Sequence, residues 1–90
     1  MNNFFALPDC LKYTHKMLKA EMRDMIRKGW EISWFTTNKN SFDWTDINVD
    51  TNGFVEKSYD LDFDYVDVGY FHPEKKETKY LCYEMIKDDV

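Results

Sequence analysis

Asp60, Asp62 and Asp64 occupy every second position of one stretch of the chain, with Glu56 before them and Asp67 after. Residues two apart on a β-strand share a face, so an extended backbone turns this stretch into a ladder of carboxylates. The rungs stand about 6.5 to 7 Å apart and point in parallel, so their oxygens do not converge on one cation. The loop spacing of a calcium hand is missing as well. His15, His72, Cys10 and Cys82 are the only histidines and cysteines, and none has the paired spacing of zinc ligands. Cys10, near Lys12, reads as an inert thiol rather than a nucleophile. The expectation is a protein with no catalytic residue, no metal and no cofactor.

Two fragments, Pro8-Asp9 and Glu74-Lys75-Lys76, resemble in form a restriction-type nuclease signature. The first falls at an expected helix start and the second in an expected hairpin turn, so they do not build a nuclease site. What remains is the ladder. Like charges stacked on one strand face repel, and Asp is a poor strand former, so the row carries a local cost. As a wet sheet face it discourages edge pairing. As a binding face, Asp60, Asp62 and Asp64, with Glu56, Asp43, Asp46, Asp50 and Asp67 around them, imitate the regular charges of a phosphate backbone. The implied partner is a protein with a basic, nucleic-acid-handling groove, which this chain would block as an inhibitor and not as an enzyme.

Charge is segregated along the chain. Residues 1–30 carry net +3, residues 31–70 net −7 and residues 71–90 net −1, for a total of −5. Lys12, Lys16, Lys19, Arg23 and Arg27 recur at helical spacing and form one basic face. That face suggests a second reading, a nucleic-acid-binding module, which the overall acidity opposes because such binding depends on neutralising phosphates. Direct nucleic-acid binding is therefore not expected. A third reading is a homodimer in which the basic helix of one copy meets the acidic sheet of another, or two exposed sheet edges pair.

These side chains need elements to hold them. Leu7, Leu11, Thr14, Leu18, Met22 and Met25 predict an amphipathic helix over 8–28, opened by Pro8-Asp9 and closed by Gly29. Trp30, Ile32 and Trp34 alternate as one side of a strand reaching Thr37, followed by a turn at 38–41. A second strand over 42–50 and a loop at Thr51-Asn52-Gly53 lead into a long strand, 54–65, in a register that opposes Val49 to Val55. Val55, Tyr59, Leu61, Phe63 and Tyr65 form its apolar side, and the phase slips at Tyr65-Val66. A strand over 66–71, a polar turn at 72–78 and a last strand over 79–86 complete the reading. The fold class is α+β, one N-terminal helix packed on a four- to five-stranded antiparallel meander.

Ninety residues, 43% hydrophobic and 18% aromatic, suit one domain over 1–90 with an aromatic core. Cys10 and Cys82 read as two buried thiols of a reducing compartment, the alternative being one bridge closing a long loop. No stretch approaches the about 18 apolar residues of a membrane span, and a cytoplasmic protein is expected. In its size, acidity and abundance of Asn, Lys, Asp, Tyr and Phe, the chain resembles small proteins of viruses and mobile elements, among them DNA mimics and the anti-CRISPR class. That resemblance implies an inhibitor of host defence acting in the host cytoplasm.

Overall fold

The computed structural model describes residues 10–58 and 62–87. Strand β1 is Leu11–Tyr13, and helix α1 follows as His15–Arg27. The helix begins at Thr14, whose extended backbone and Oγ1, accepting the Met17 N–H at 3.1 Å, cap its first turn. The start expected at Pro8-Asp9 is thus corrected, because residues 11–13 pair with a strand instead of coiling. The helix end is as expected. Gly29 takes φ +99°, its N–H reaches the Ile26 carbonyl, and the Trp30 N–H reaches Met25, which closes the last turn in a Schellman motif.

Strand β2, Glu31–Thr37, shifts register between Ile32 and Trp34. Ser33 is the extra residue of this bulge, and its Oγ donates to the Gly69 carbonyl at 3.0 Å. The bulge buries Ile32 and Phe35, three positions apart, on the same side, and turns Trp34 to the other. The expected alternation of Trp30, Ile32 and Trp34 on one side therefore breaks at Trp34.

The middle of the chain departs most from expectation. Only Ser41–Asp43 is extended there, as β3; helices α2, Trp44–Asn48, and α3, Thr51–Ser58, replace the strand over 42–50 and the first part of the strand over 54–65. Asp43 caps α2 by accepting the Asp46 N–H at 3.1 Å, while Asp46 Oδ2 accepts the Asp43 N–H at 3.0 Å. Asp50 accepts the Gly53 N–H at 3.1 Å in the first turn of α3. The aspartates that alternate as strand residues here act as helix starters, and Val49 does not face Val55. Tyr59 and Leu61 lie outside the described residues.

β4, Tyr65–His72, and β5, Glu77–Met85, form the hairpin expected near the C-terminus, with its turn at residues 73–76. The sheet has the order β1-β5-β4-β2-β3, and β1 runs parallel to β5 while every other pair is antiparallel. The structure is therefore α+β with a mixed five-stranded sheet and three helices, not a one-helix antiparallel meander. Leu18, Met22 and Met25 of α1, Ile47 of α2 and Val55 of α3 pack with Ile32, Phe35, Val66, Val68, Tyr70 and Tyr83 in one core, so the helices share one face of the sheet. Glu21 accepts the Tyr13 and Tyr83 hydroxyls at 3.2 Å each, which ties α1 to the β1–β5 side.

Candidate protein-binding face

Successive residues of a strand point to opposite faces, and the core identifies which face the helices cover. On β4, Val66, Val68, Tyr70 and His72 face the helices, which leaves Tyr65, Asp67, Gly69 and Phe71 on the other face. The register adds Thr78, Tyr80, Cys82 and Glu84 of β5 and Glu31, Trp34 and Thr36 of β2 to that second face.

Gly69 lies at its centre, between Trp34 and Tyr80. The two rings stack across it, centroids 5.0 Å apart and planes 18° from parallel. A β-carbon at Gly69 would stand 3.0 Å from Trp34 ring atoms and 3.0 Å from Ser33 Oγ, so the glycine is what lets the Trp34 ring lie down on the sheet. Tyr80 is 64% exposed, and Trp44, 50% exposed, donates its indole N–H to Glu31 Oε1 at 3.3 Å. Phe71, opposite Glu31, is half-buried. Stacked, partly exposed aromatics of this kind offer large contact area at low entropic cost.

Asp67 is set between Thr36 and Cys82, with only 7% of its surface exposed. Its Oδ2 has no hydrogen-bond partner, and burial pushes the carboxyl up to about 6. A buried acceptor left unpaired costs free energy that a donor would return. Beyond it Lys12 and Glu84 form an ion pair at 2.7 Å, which holds the Lys12 ammonium above its ordinary range. Among the described strand residues of this face, Lys12 is the one cation. Cys10 and Cys82 are joined in a disulfide, so the expectation of two free thiols is corrected in favour of the bridge.

The eight carboxylates singled out in the sequence are dispersed. Asp60 lies outside the described residues. Asp62 is exposed and pairs with Lys39, and Asp64 is exposed with its N–H donated to Asn38 Oδ1. Glu56, on α3, pairs with Lys19 and Arg23 and so neutralises part of the basic face of α1. Hydrogen bonds from Thr45 and Asp46 hold the Asp43 carboxyl below its ordinary range. Asp46 and Asp50 line a cleft of about 560 Å³ with Phe42, Phe54, Val49 and Lys57. Only Asp67 lies centrally on the sheet face that no described helix covers, and the other carboxylates of the strands there, Glu31 opposite Phe71 and Glu84 opposite Tyr65, were not singled out. Nor were Trp34, Tyr80, Phe71 and Trp44; the usable signal was Gly69, a glycine inside an apolar strand, which marks a close approach by a neighbouring group. Lys12, expected in the helical basic face, sits instead on β1.

No group of three or more potential metal ligands occurs among the described residues. No described helix is long and apolar enough to cross a membrane. Fold and face together define a small α+β protein with helices on one side of a mixed sheet and an aromatic, carboxylate-bearing surface on the other. Comparison with protein-family models, with curated proteins and with solved structures finds no match for this chain.

Proposed function

We propose that this protein is a small binding protein that engages a basic, nucleic-acid-handling protein and inhibits it by occupying its cationic surface. The observation that carries this reading is that the stacked Trp34 and Tyr80 rings share with the carboxylates Glu31, Asp67 and Glu84 the sheet face that no described helix covers. Arginine and lysine side chains stack on such rings, and the same cations supply donors to carboxylates. This face lies on β2, β4 and β5 and shares only Asp67 and, at the end of β3, Asp43 with the carboxylates singled out in the sequence. The reading through the basic helix loses support because Glu56 occupies Lys19 and Arg23, and Asp24 occupies Arg27 and Lys28.

Binding of an arginine-rich peptide, followed by calorimetry at two salt concentrations, tests the proposal. Tyr80→Ala is expected to weaken it by about tenfold or more, a hot-spot aromatic being worth about 1 to 2 kcal/mol. Asp62→Lys with Asp64→Lys, away from the face, is expected to change it by about threefold at most. Equal losses from both changes, or tighter binding of an oligonucleotide than of the peptide, would refute the proposal.

A further inference from the structure

The segment that replaces the expected strand over 42–50 builds a cleft on the helix side of the sheet. Its floor is aromatic. Phe42 and Phe54 meet edge to face, centroids 5.3 Å apart, and each also packs on the buried ring of Phe35, at 6.2 and 5.1 Å. The floor is thereby fixed to the core. At the rim, Asp46 and Asp50 are held by the helix starts. Asp46 Oδ2 accepts the Asp43 N–H and Asp50 Oδ1 the Gly53 N–H, so the backbone engages one oxygen of each carboxylate. The other oxygens, Asp46 Oδ1 and Asp50 Oδ2, accept no hydrogen bond among the described residues. A β-carbon at Gly53 would collide with Asp50 Oδ2, so the glycine is what leaves that oxygen its place. Val49, 87% exposed, adds an apolar rim. Lys57 also lines the cleft, yet among the described residues no ion pair joins it to either carboxylate.

We propose that this cleft takes the guanidinium of an arginine presented by a protein partner. None of Trp34, Tyr80, Glu31, Asp67 and Glu84 lines it, so the site goes beyond the sheet-face function proposed above and does not depend on it. Two carboxylates against one lysine leave the lining net negative, which favours a cation over an anion. Arginine fits in three respects. Its plane stacks on an aromatic ring, and its weak hydration lets it leave water for a partly covered site. Its fork of N–H donors serves two acceptor oxygens at once, whereas a lysine ammonium is a compact, strongly hydrated point charge. Its apolar stem covers Val49 and the Phe42 ring while the charged head reaches the carboxylates. Lys57 is then a resident competitor of the same sign, and its removal strengthens binding.

Titration of the full chain with N-acetyl-arginine amide, followed by amide and aromatic NMR shifts, tests the cleft, with N-acetyl-lysine amide as the comparison. Saturable shifts are expected at Gly53 and at the Phe42 and Phe54 rings, with arginine bound more tightly than lysine. Asp50→Asn keeps an acceptor for the Gly53 N–H and removes the charge. It is expected to weaken arginine binding about fivefold, a hydrogen bond to a charged group becoming a neutral one. Phe54→Leu, which keeps apolar bulk without a ring face, is expected to weaken it about threefold. Lys57→Ala is expected to strengthen it about twofold, and Tyr80→Ala to leave it unchanged. Shifts that do not saturate, equal affinity in the parent and Asp50→Asn, or tighter binding of lysine would overturn the proposal. Shifts confined to Trp34 and Tyr80 would overturn it too, and would leave the sheet-face function standing. Saturable cleft shifts in a protein whose affinity for the arginine-rich peptide ignores Tyr80→Ala would uphold the cleft and remove the sheet-face function.

Discussion

At the scale of single residues, the unusual group is Asp67, a carboxylate on the sheet face that no described helix covers, yet 7% exposed and unpaired at Oδ2. Its folded value of about 6 stands above the 3.8 of a free aspartate, so folding favours the protonated form. For a group raised on folding, stability is full below the unfolded value and is lost as pH rises through the folded one. The loss therefore falls between about pH 4 and pH 6, and at pH 7 the charged carboxylate costs on the order of 2 kcal/mol. Asp67→Asn carries no charge in either state. The difference in urea stability between Asp67→Asn and the parent is expected to move in favour of the variant by about that amount from pH 4 to pH 7. A difference that stays constant over this range would show that burial does not penalise the charge. Asp24 and Asp43, whose carboxyls are lowered by hydrogen bonds, lose stability in the opposite direction as pH falls, which is why the difference and not the parent curve is diagnostic.

At the scale of elements, helix α1, β2 and the β4–β5 hairpin were legible because each is signalled by its own residues: three-and-four spacing closed by Gly29, a Trp-rich run, and two apolar runs about a polar turn. The segment 42–58 was not, for a physical reason. Asp43, Ile47 and Asp50 fit period two only loosely, whereas Asp43 and Asp46 three apart fit a capping box. A short helix of five residues has little periodicity to display, and its capping signal competes with the strand pattern. Of this sheet face the sequence reading singled out Asp67 and Asp43 but neither Glu31 and Glu84 nor the aromatics, because the Ser33 bulge decides which side Trp34 takes. If capping decides the segment, Asp43→Ala, which removes the acceptor for the Asp46 N–H, is expected to cost about 1 kcal/mol. Asp43→Asn, which keeps an acceptor, is expected to cost less than half of that by the same denaturation measurement. Equal losses would assign the residue's role to β3 and not to α2.

At the scale of the whole molecule, the first and last strands are joined to each other twice, once by the parallel β1–β5 pairing and once by the bridge across a sequence separation of 72 residues. A chain of ninety residues can bury only a modest core, so a cross-link of this span is a large share of its stability. In the chain-entropy account, closing a loop of that length contributes about 4 kcal/mol, mainly by restricting the unfolded chain. Total stabilities of about 5 to 15 kcal/mol leave the reduced form folded. Cys10→Ser/Cys82→Ser is therefore expected to lose about 4 kcal/mol in urea and to unfold with a steeper denaturant dependence, because its unfolded state is more expanded. A variant as stable as the parent, with an unchanged denaturant dependence, would show that the bridge does not act through the unfolded chain.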